Sequence, residues 1–135
     1  MTPDQKIHQW QASEHELGIL QFGSSDSLRE GWFYEVESRF TPIALAESDL
    51  LCVDEQTGEL LVFDHEVRGR VFSHASENLA AFVGVAEVLT SYFGKCVEDE
   101  KYNDDLEEAR RVIAKCAEIA GGEKYEGFYH GMIGA

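Results

Sequence analysis

Basic side chains are scarce in this chain: 11 lysines and arginines stand against 26 aspartates and glutamates, a formal net charge of −15. Nucleic acid is therefore not expected as a direct ligand, because phosphate binding relies on clustered Lys and Arg that release counterions. Anionic membrane surfaces are disfavoured for the same reason. Cysteine is also sparse. The 3 thiols, Cys52, Cys96 and Cys116, include no CxxC pair, and an odd number does not make a disulfide framework. A reducing, cytoplasmic setting is expected. The opening Met1-Thr2-Pro3-Asp4-Gln5-Lys6 has no apolar core of the signal-peptide kind, and no apolar run is expected to reach membrane-spanning length. No phosphate-binding glycine loop, dinucleotide fingerprint, zinc-protease helix or nucleophile elbow occurs. The expectation is a protein that is not an enzyme and uses no cofactor.

What is present suits a globular domain. The chain has 135 residues, 44% of them hydrophobic and 11% aromatic. A chain of this length forms one domain, here 1–135, and buries about two thirds of its unfolded surface without staples. Three short apolar runs, Leu50-Leu51-Cys52-Val53, Leu60-Leu61-Val62-Phe63 and Val71-Phe72, are separated by polar turns containing Gly58 and Gly69. Their length and their β-branched and aromatic content predict an antiparallel meander.

Around it, Thr2, Pro3 and Gln5 predict a helix start, with Ile7 and Trp10 as anchors before an end near Ala12. Leu17–Phe22 reads as a strand ended by the polar turn Gly23-Ser24-Ser25-Asp26, and Trp32–Val36 as a further, less decisive strand. Thr41-Pro42 predicts a bend or an edge position. Ser76 is the expected cap of an amphipathic helix carrying Leu79, Phe82, Val83, Ala86, Leu89 and Phe93 and ending at Gly94. A second helix is expected from Asn103, with Leu106, Ala109, Val112, Ile113, Cys116, Ala117 and Ala120 as its apolar stripe and Gly121-Gly122 as its stop. Cys52 and Cys116 fall on apolar positions and Cys96 does not. Periodicity leaves the tail from Tyr125 open between an irregular arm and an edge strand.

The densest chemically capable cluster is Asp64-His65-Glu66, with His74 beyond the next run. If the last two strands pair, His65 and His74 with one carboxylate would make a metal site of the two-histidine type. Against that, successive strand residues point to opposite faces, and the plainer expectation is a polar strand end with no metal. Acids concentrate in two places. Glu47, Asp49, Asp54, Glu55, Glu59, Asp64 and Glu66 lie in one stretch without Lys or Arg, and a second acidic stretch runs from Glu98 to Glu108. Solvated faces and helix starts account for part of this. A docking surface for a basic protein, built on Asp54, Glu55, Glu59, Asp64, His65 and Glu66, is the functional expectation.

The runs Phe40-Thr41-Pro42-Ile43-Ala44, Asp49-Leu50-Leu51-Cys52-Val53-Asp54, Gly58-Glu59-Leu60-Leu61-Val62-Phe63-Asp64-His65-Glu66 and Ala75-Ser76-Glu77-Asn78-Leu79-Ala80-Ala81-Phe82 together resemble the SUKH superfamily, of which this chain would be a divergent member. That group includes bacterial immunity proteins of polymorphic toxin systems and eukaryotic regulators of cell-wall synthesis. The resemblance implies an α+β fold, a curved antiparallel sheet packed by helices, and binding of a toxin domain, many of which are basic nucleases. A general regulatory module of the same fold, or a small metal-dependent enzyme, are the alternatives.

Overall fold

A computed structural model describes residues 1–135. Six antiparallel strands lie in sequence order, β1 (Glu16–Leu17), β2 (Leu20–Phe22), β3 (Phe40–Ala46), β4 (Asp49–Asp54), β5 (Leu60–Phe63) and β6 (Val71–Ser76), forming an open meander. The expected α+β architecture is therefore present. Its centre is the predicted meander, with Gly58 at φ +83° and Gly69 at φ +75° in the two turns, a backbone region that favours residues without Cβ.

The chain begins with α1 (Pro3–Ala12), capped as expected: the Gln5 N–H donates to Thr2 Oγ1 at 3.1 Å and the Thr2 N–H donates to Gln5 Oε1 at 2.8 Å. Ile7 and Trp10 are buried. The strand expected over Leu17–Phe22 is instead the tight β1–β2 hairpin, broken at Gly18, whose φ is +57°. The following polar segment is not only a turn. Ser24 accepts from the Ser27 N–H and starts α2 (Ser25–Gly31).

Trp32–Val36, expected as a strand, forms none. It is an aromatic loop that folds over the sheet. Pro42 sits at a bulge of β3, opposite Cys52 of β4 and past the end of its pairing with β2. An inner strand thus tolerates proline because no ladder partner asks for the missing N–H there.

The sheet has two dressed faces. Leu20, Phe22, Ala44, Leu51, Leu60, Val62 and Ala75 join the main core with α1, α3 (Leu79–Glu98), α5 (Leu106–Ala120) and α6 (Glu126–Ile133). On the other face Leu50, Cys52, Leu61 and Phe63 form a smaller core under Trp32, with Leu28, Tyr34 and Val36 packed against it. This alternation along β4 and β5 is the period of two that a sheet covered on both sides displays.

The helices depart from expectation at their ends. Asn78, not Ser76, caps α3 through a 2.8 Å bond from the Ala81 N–H. Gly94 does not stop the helix, which runs on to Glu98. By length and composition α3 is apolar enough to cross a membrane, contrary to the expectation for this chain. In the fold it buries Phe82, Val85, Ala86, Leu89 and Tyr92 in the main core.

A short α4 (Glu100–Asn103) follows, and Asp105 rather than Asn103 caps α5. Gly121 and Gly122 end α5 with φ of +134° and +126°, as expected. The tail is neither arm nor edge strand: a 3-10 turn at Glu123–Tyr125 leads into α6, which buries Phe128, Tyr129 and Met132. The Tyr129 hydroxyl donates to the Ala75 carbonyl at 2.6 Å and ties α6 to β6.

Candidate functional site

Chemistry-bearing side chains gather where β5 leaves the sheet. Asp64, at the strand's end, is 8% exposed and organises the loop to β6. Its Oδ1 accepts the Glu66 N–H at 2.7 Å, its own N–H donates to the Arg70 carbonyl at 2.9 Å, and the Arg70 guanidinium lies 3.8 Å from its carboxylate. From the aromatic loop, the Tyr34 hydroxyl donates to the Asp64 carbonyl at 2.6 Å. Next along the chain, the His65 N–H and Nδ1 both meet Asp49 Oδ1, at 3.0 and 2.8 Å. That hydrogen bond holds the His65 pKa above the ordinary histidine range against the opposing effect of burial. Asp64 and Asp49 are thus loop anchors, as Asx-type carboxylates at strand ends commonly are.

The other sequence-predicted carboxylates divide sharply by burial. Asp54 is 4% exposed and grips Arg39 with two bonds, Nε to Oδ1 at 3.2 Å and Nη2 to Oδ2 at 2.6 Å, while also accepting the Gln56 N–H at 2.9 Å. The Arg39 bond outweighs burial and pulls the Asp54 pKa down to about 2. The Glu59 side chain is 17% exposed. It accepts from Lys124 at 2.7 Å, from the Tyr125 hydroxyl at 2.8 Å, and lies 3.1 Å from His74 Nδ1. Burial pushes its pKa up, yet those three partners together hold it below the usual carboxylate range.

Of the six residues expected to form one docking surface, Asp54, Glu59 and Asp64 therefore spend their oxygens inside the fold, and His65 is half committed to Asp49. Glu55 and Glu66 are exposed. The structure brings Asp64, His65 and Glu66 together and leaves Asp54, Glu55 and Glu59 around the opposite ends of β4 and β5.

The two-histidine metal arrangement is not formed. His74 pairs in register with Leu61 and bonds Glu59, whereas His65 lies past the far end of β5 and bonds Asp49. Asp49, Asp64 and His65 do place one potential ligand atom each within 4.8 Å of one another. Their geometry is already explained by the bonds to backbone N–H groups and by Arg70, which brings a resident cation to the spot. Cys52 and Cys116 are buried as expected, and burial raises their thiols to about 12 and about 11, far from thiolate chemistry at neutral pH.

Sequence reasoning missed the surface beside this hairpin. Phe33 is 69% exposed, its ring 5.3 Å from that of Trp32 and 6.0 Å from that of His65. Val67 and Val71 of the hairpin are exposed as well. Between the loop and α2 lies a groove of about 530 Å³, floored by Trp32, Tyr34 and Val36 and rimmed by Asp26, Glu30 and Glu35. None of these three acids forms an ion pair. The signal for α2 was the Ser24 cap followed by Asp26 in its first turn. A turn-like run of Gly and Ser hid it.

The second acidic stretch is largely helix chemistry. Asp99 caps α4, Asp105 caps α5, and Glu108 pairs with Arg111. Glu98, Glu100, Asp104 and Glu107 stay exposed. Comparison with protein-family models, with curated proteins and with solved structures finds no match to any of them.

Proposed function

We propose that this chain is a non-catalytic, cytoplasmic protein-binding domain of the SUKH type, acting as an immunity protein that occupies the basic surface of a nuclease-type toxin. The observation that carries the reading is the exposed Phe33 beside a groove whose rim carboxylates have no partner within the fold. A solvent-exposed aromatic ring on a braced loop is the kind of anchor that interfaces use, and unpaired acids around it favour a cationic partner. The net charge of −15 adds long-range attraction for such a partner and disfavours nucleic acid as a ligand. The α+β meander packed by helices agrees with the fold that the resemblance implies. The two-histidine site on which the metal-dependent alternative relies is not formed, since His65 and His74 bond different carboxylates in separate places.

The test is coexpression with the toxin domain encoded beside this protein in its own genome, read as growth rescue and as a stable complex on size exclusion. Rescue that weakens with rising salt supports the reading. Two folded proteins that neither bind nor rescue growth refute it.

A further inference from the structure

We infer that the groove between α2 and the Trp32–Ser38 loop is a socket for an arginine side chain of the partner, with Phe33 as the apolar anchor at its side. The inference rests on the protein-binding reading above and names where and by what chemistry that binding occurs. Three features of the groove point to a guanidinium.

Its floor is aromatic and aliphatic, supplied by Trp32, Tyr34 and Val36, and its volume of about 530 Å³ leaves room for a long side chain. Arginine stacks on aromatic faces and is less strongly hydrated than lysine, so it enters such a floor at lower desolvation cost. Its rim carries Asp26, Glu30 and Glu35, all exposed and without ion pairs, so their carboxylates are free to accept N–H donors of a guanidinium. The only basic residue in the lining, Arg29, is turned to the loop itself, donating to the Val36 carbonyl at 3.2 Å and to the Phe40 carbonyl. Three carboxylates against one guanidinium leave the rim net negative, and Arg29 holds the loop in place.

A guanidinium already stands against one ring of this loop: Arg68 of the β5–β6 hairpin lies with its guanidinium carbon 5.5 Å from the Tyr34 ring centre. The support beneath is rigid: Tyr34 is bonded to the Asp64 carbonyl and Trp32 packs on Leu50, Cys52, Leu61 and Phe63. A fixed socket of this kind loses little entropy on binding.

The probe is acetyl-hexaarginine amide, titrated into the 15N-labelled protein at about 0.15 M salt, where long-range attraction between exposed charges is largely screened. The chain has 2 tryptophans, and Trp32→Phe assigns the indole N–H resonance of Trp32 against that of Trp10. Saturable shifts are expected at the Trp32 indole and at the amides of Asp26, Glu30 and Phe33, and none at the Trp10 indole. Combined D26N, E30Q and E35Q should weaken binding by about fivefold or more, whereas E98Q, D104N and E107Q, which remove the same charge from exposed positions elsewhere, should change it by less than about twofold.

Phe33→Ala, at a position 69% exposed, should also weaken binding while the thermal melt confirms that the variant stays folded, and hexalysine amide should bind more weakly than hexaarginine. Equal losses from both charge-neutralised variants, shifts scattered over the α4–α5 acids, or equal affinity for the two peptides would overturn the socket. A cognate toxin domain whose capture is undiminished by D26N, E30Q and E35Q also overturns it, while leaving the protein-binding reading standing.

Discussion

Glu59 separates the structural from the recognition role of the acids, and a double-mutant cycle with Tyr125 measures which it serves. The perturbation is Glu59→Gln, Tyr125→Phe and both together. Glu59 Oε2 receives the Tyr125 hydroxyl at 2.8 Å and Lys124 Nζ at 2.7 Å, and Oε1 faces His74. Lys124 is 56% exposed, so its pair contributes at most about 1 kcal/mol. The tyrosine bond is the larger part, since Tyr125 is buried and a hydrogen bond to a charged acceptor is worth about 1.5–3 kcal/mol. Glu59→Gln should therefore cost about 2 kcal/mol, Tyr125→Phe a similar amount, and their coupling should be about 1 kcal/mol or more.

Urea midpoints followed by tryptophan fluorescence at pH 7 give all four values. The pH dependence adds a sign. Because the folded pKa of Glu59 is depressed, its contribution is present above the unfolded value of about 4.3 and is lost as pH falls through the folded value. The cost of Glu59→Gln should shrink accordingly in acid. A coupling below about 0.3 kcal/mol, or a cost that grows on acidification, would refute the argument that Glu59 is a brace between β5 and the C-terminal helices.

Two glycines that look alike in sequence should behave oppositely. Gly121→Ala places a Cβ 2.8 Å from the Tyr125 ring at φ +134° and should destabilise by about 2 kcal/mol or more, while Gly94→Ala, mid-helix with open space around it, should stabilise by about 0.5–1 kcal/mol; thermal melts check both. NMR titration should place the His65 pKa above the ordinary value of about 6.5, and Asp49→Asn should return it. The stability from that pair is complete below about pH 6.5 and fades as pH rises through the folded value. Arg39→Met should raise the Asp54 pKa from about 2, so that the wild-type loss of stability between about pH 4 and about pH 2 flattens in the variant's acid-unfolding curve.

The meander was legible because its strands combine short apolar runs with turns that only certain residues make. Gly58 and Gly69 mark those turns by their positive φ, and Leu50, Leu51, Cys52 and Leu60–Phe63 are buried on both faces of the sheet, which is why the runs read as continuous rather than alternating. Trp32–Val36 misled for a related reason. Its aromatic content reflects a lid over Leu61 and Phe63, not a strand, and β-propensity measures how well a side chain packs on such a surface more than it measures backbone conformation. The tail misled in the opposite way: Gly127 and Gly131 disguise α6, whose formation is driven by burial of Phe128, Tyr129 and Met132 against the core rather than by local propensity. Gly94 suggests a stop by its identity, but a glycine C-cap depends on positive φ, which Gly94 does not adopt inside α3, and that conformation is invisible in the letter itself.

The candidate site was legible in part, and the reason lies in what a carboxylate's neighbours do rather than in where it stands in the chain. Asp54, Glu59 and Asp64 look identical to Glu55 and Glu66 in sequence, yet Arg39, Tyr125 and the hairpin's own N–H groups claim the first three. A committed carboxylate contributes to the field of the molecule but not to a contact, since a partner would first have to break the internal bond and leave Arg39 or Tyr125 unpaired in a buried setting. The acids free to make contacts are those whose fixed partners are missing, such as Asp26, Glu30 and Glu35, and these lie where the sequence showed no acidic run at all. On the proposed reading, recognition depends on two separable quantities: the total charge of −15 would set how fast a cationic partner arrives, and the aromatic groove on the loop of Phe33 would set whether it stays.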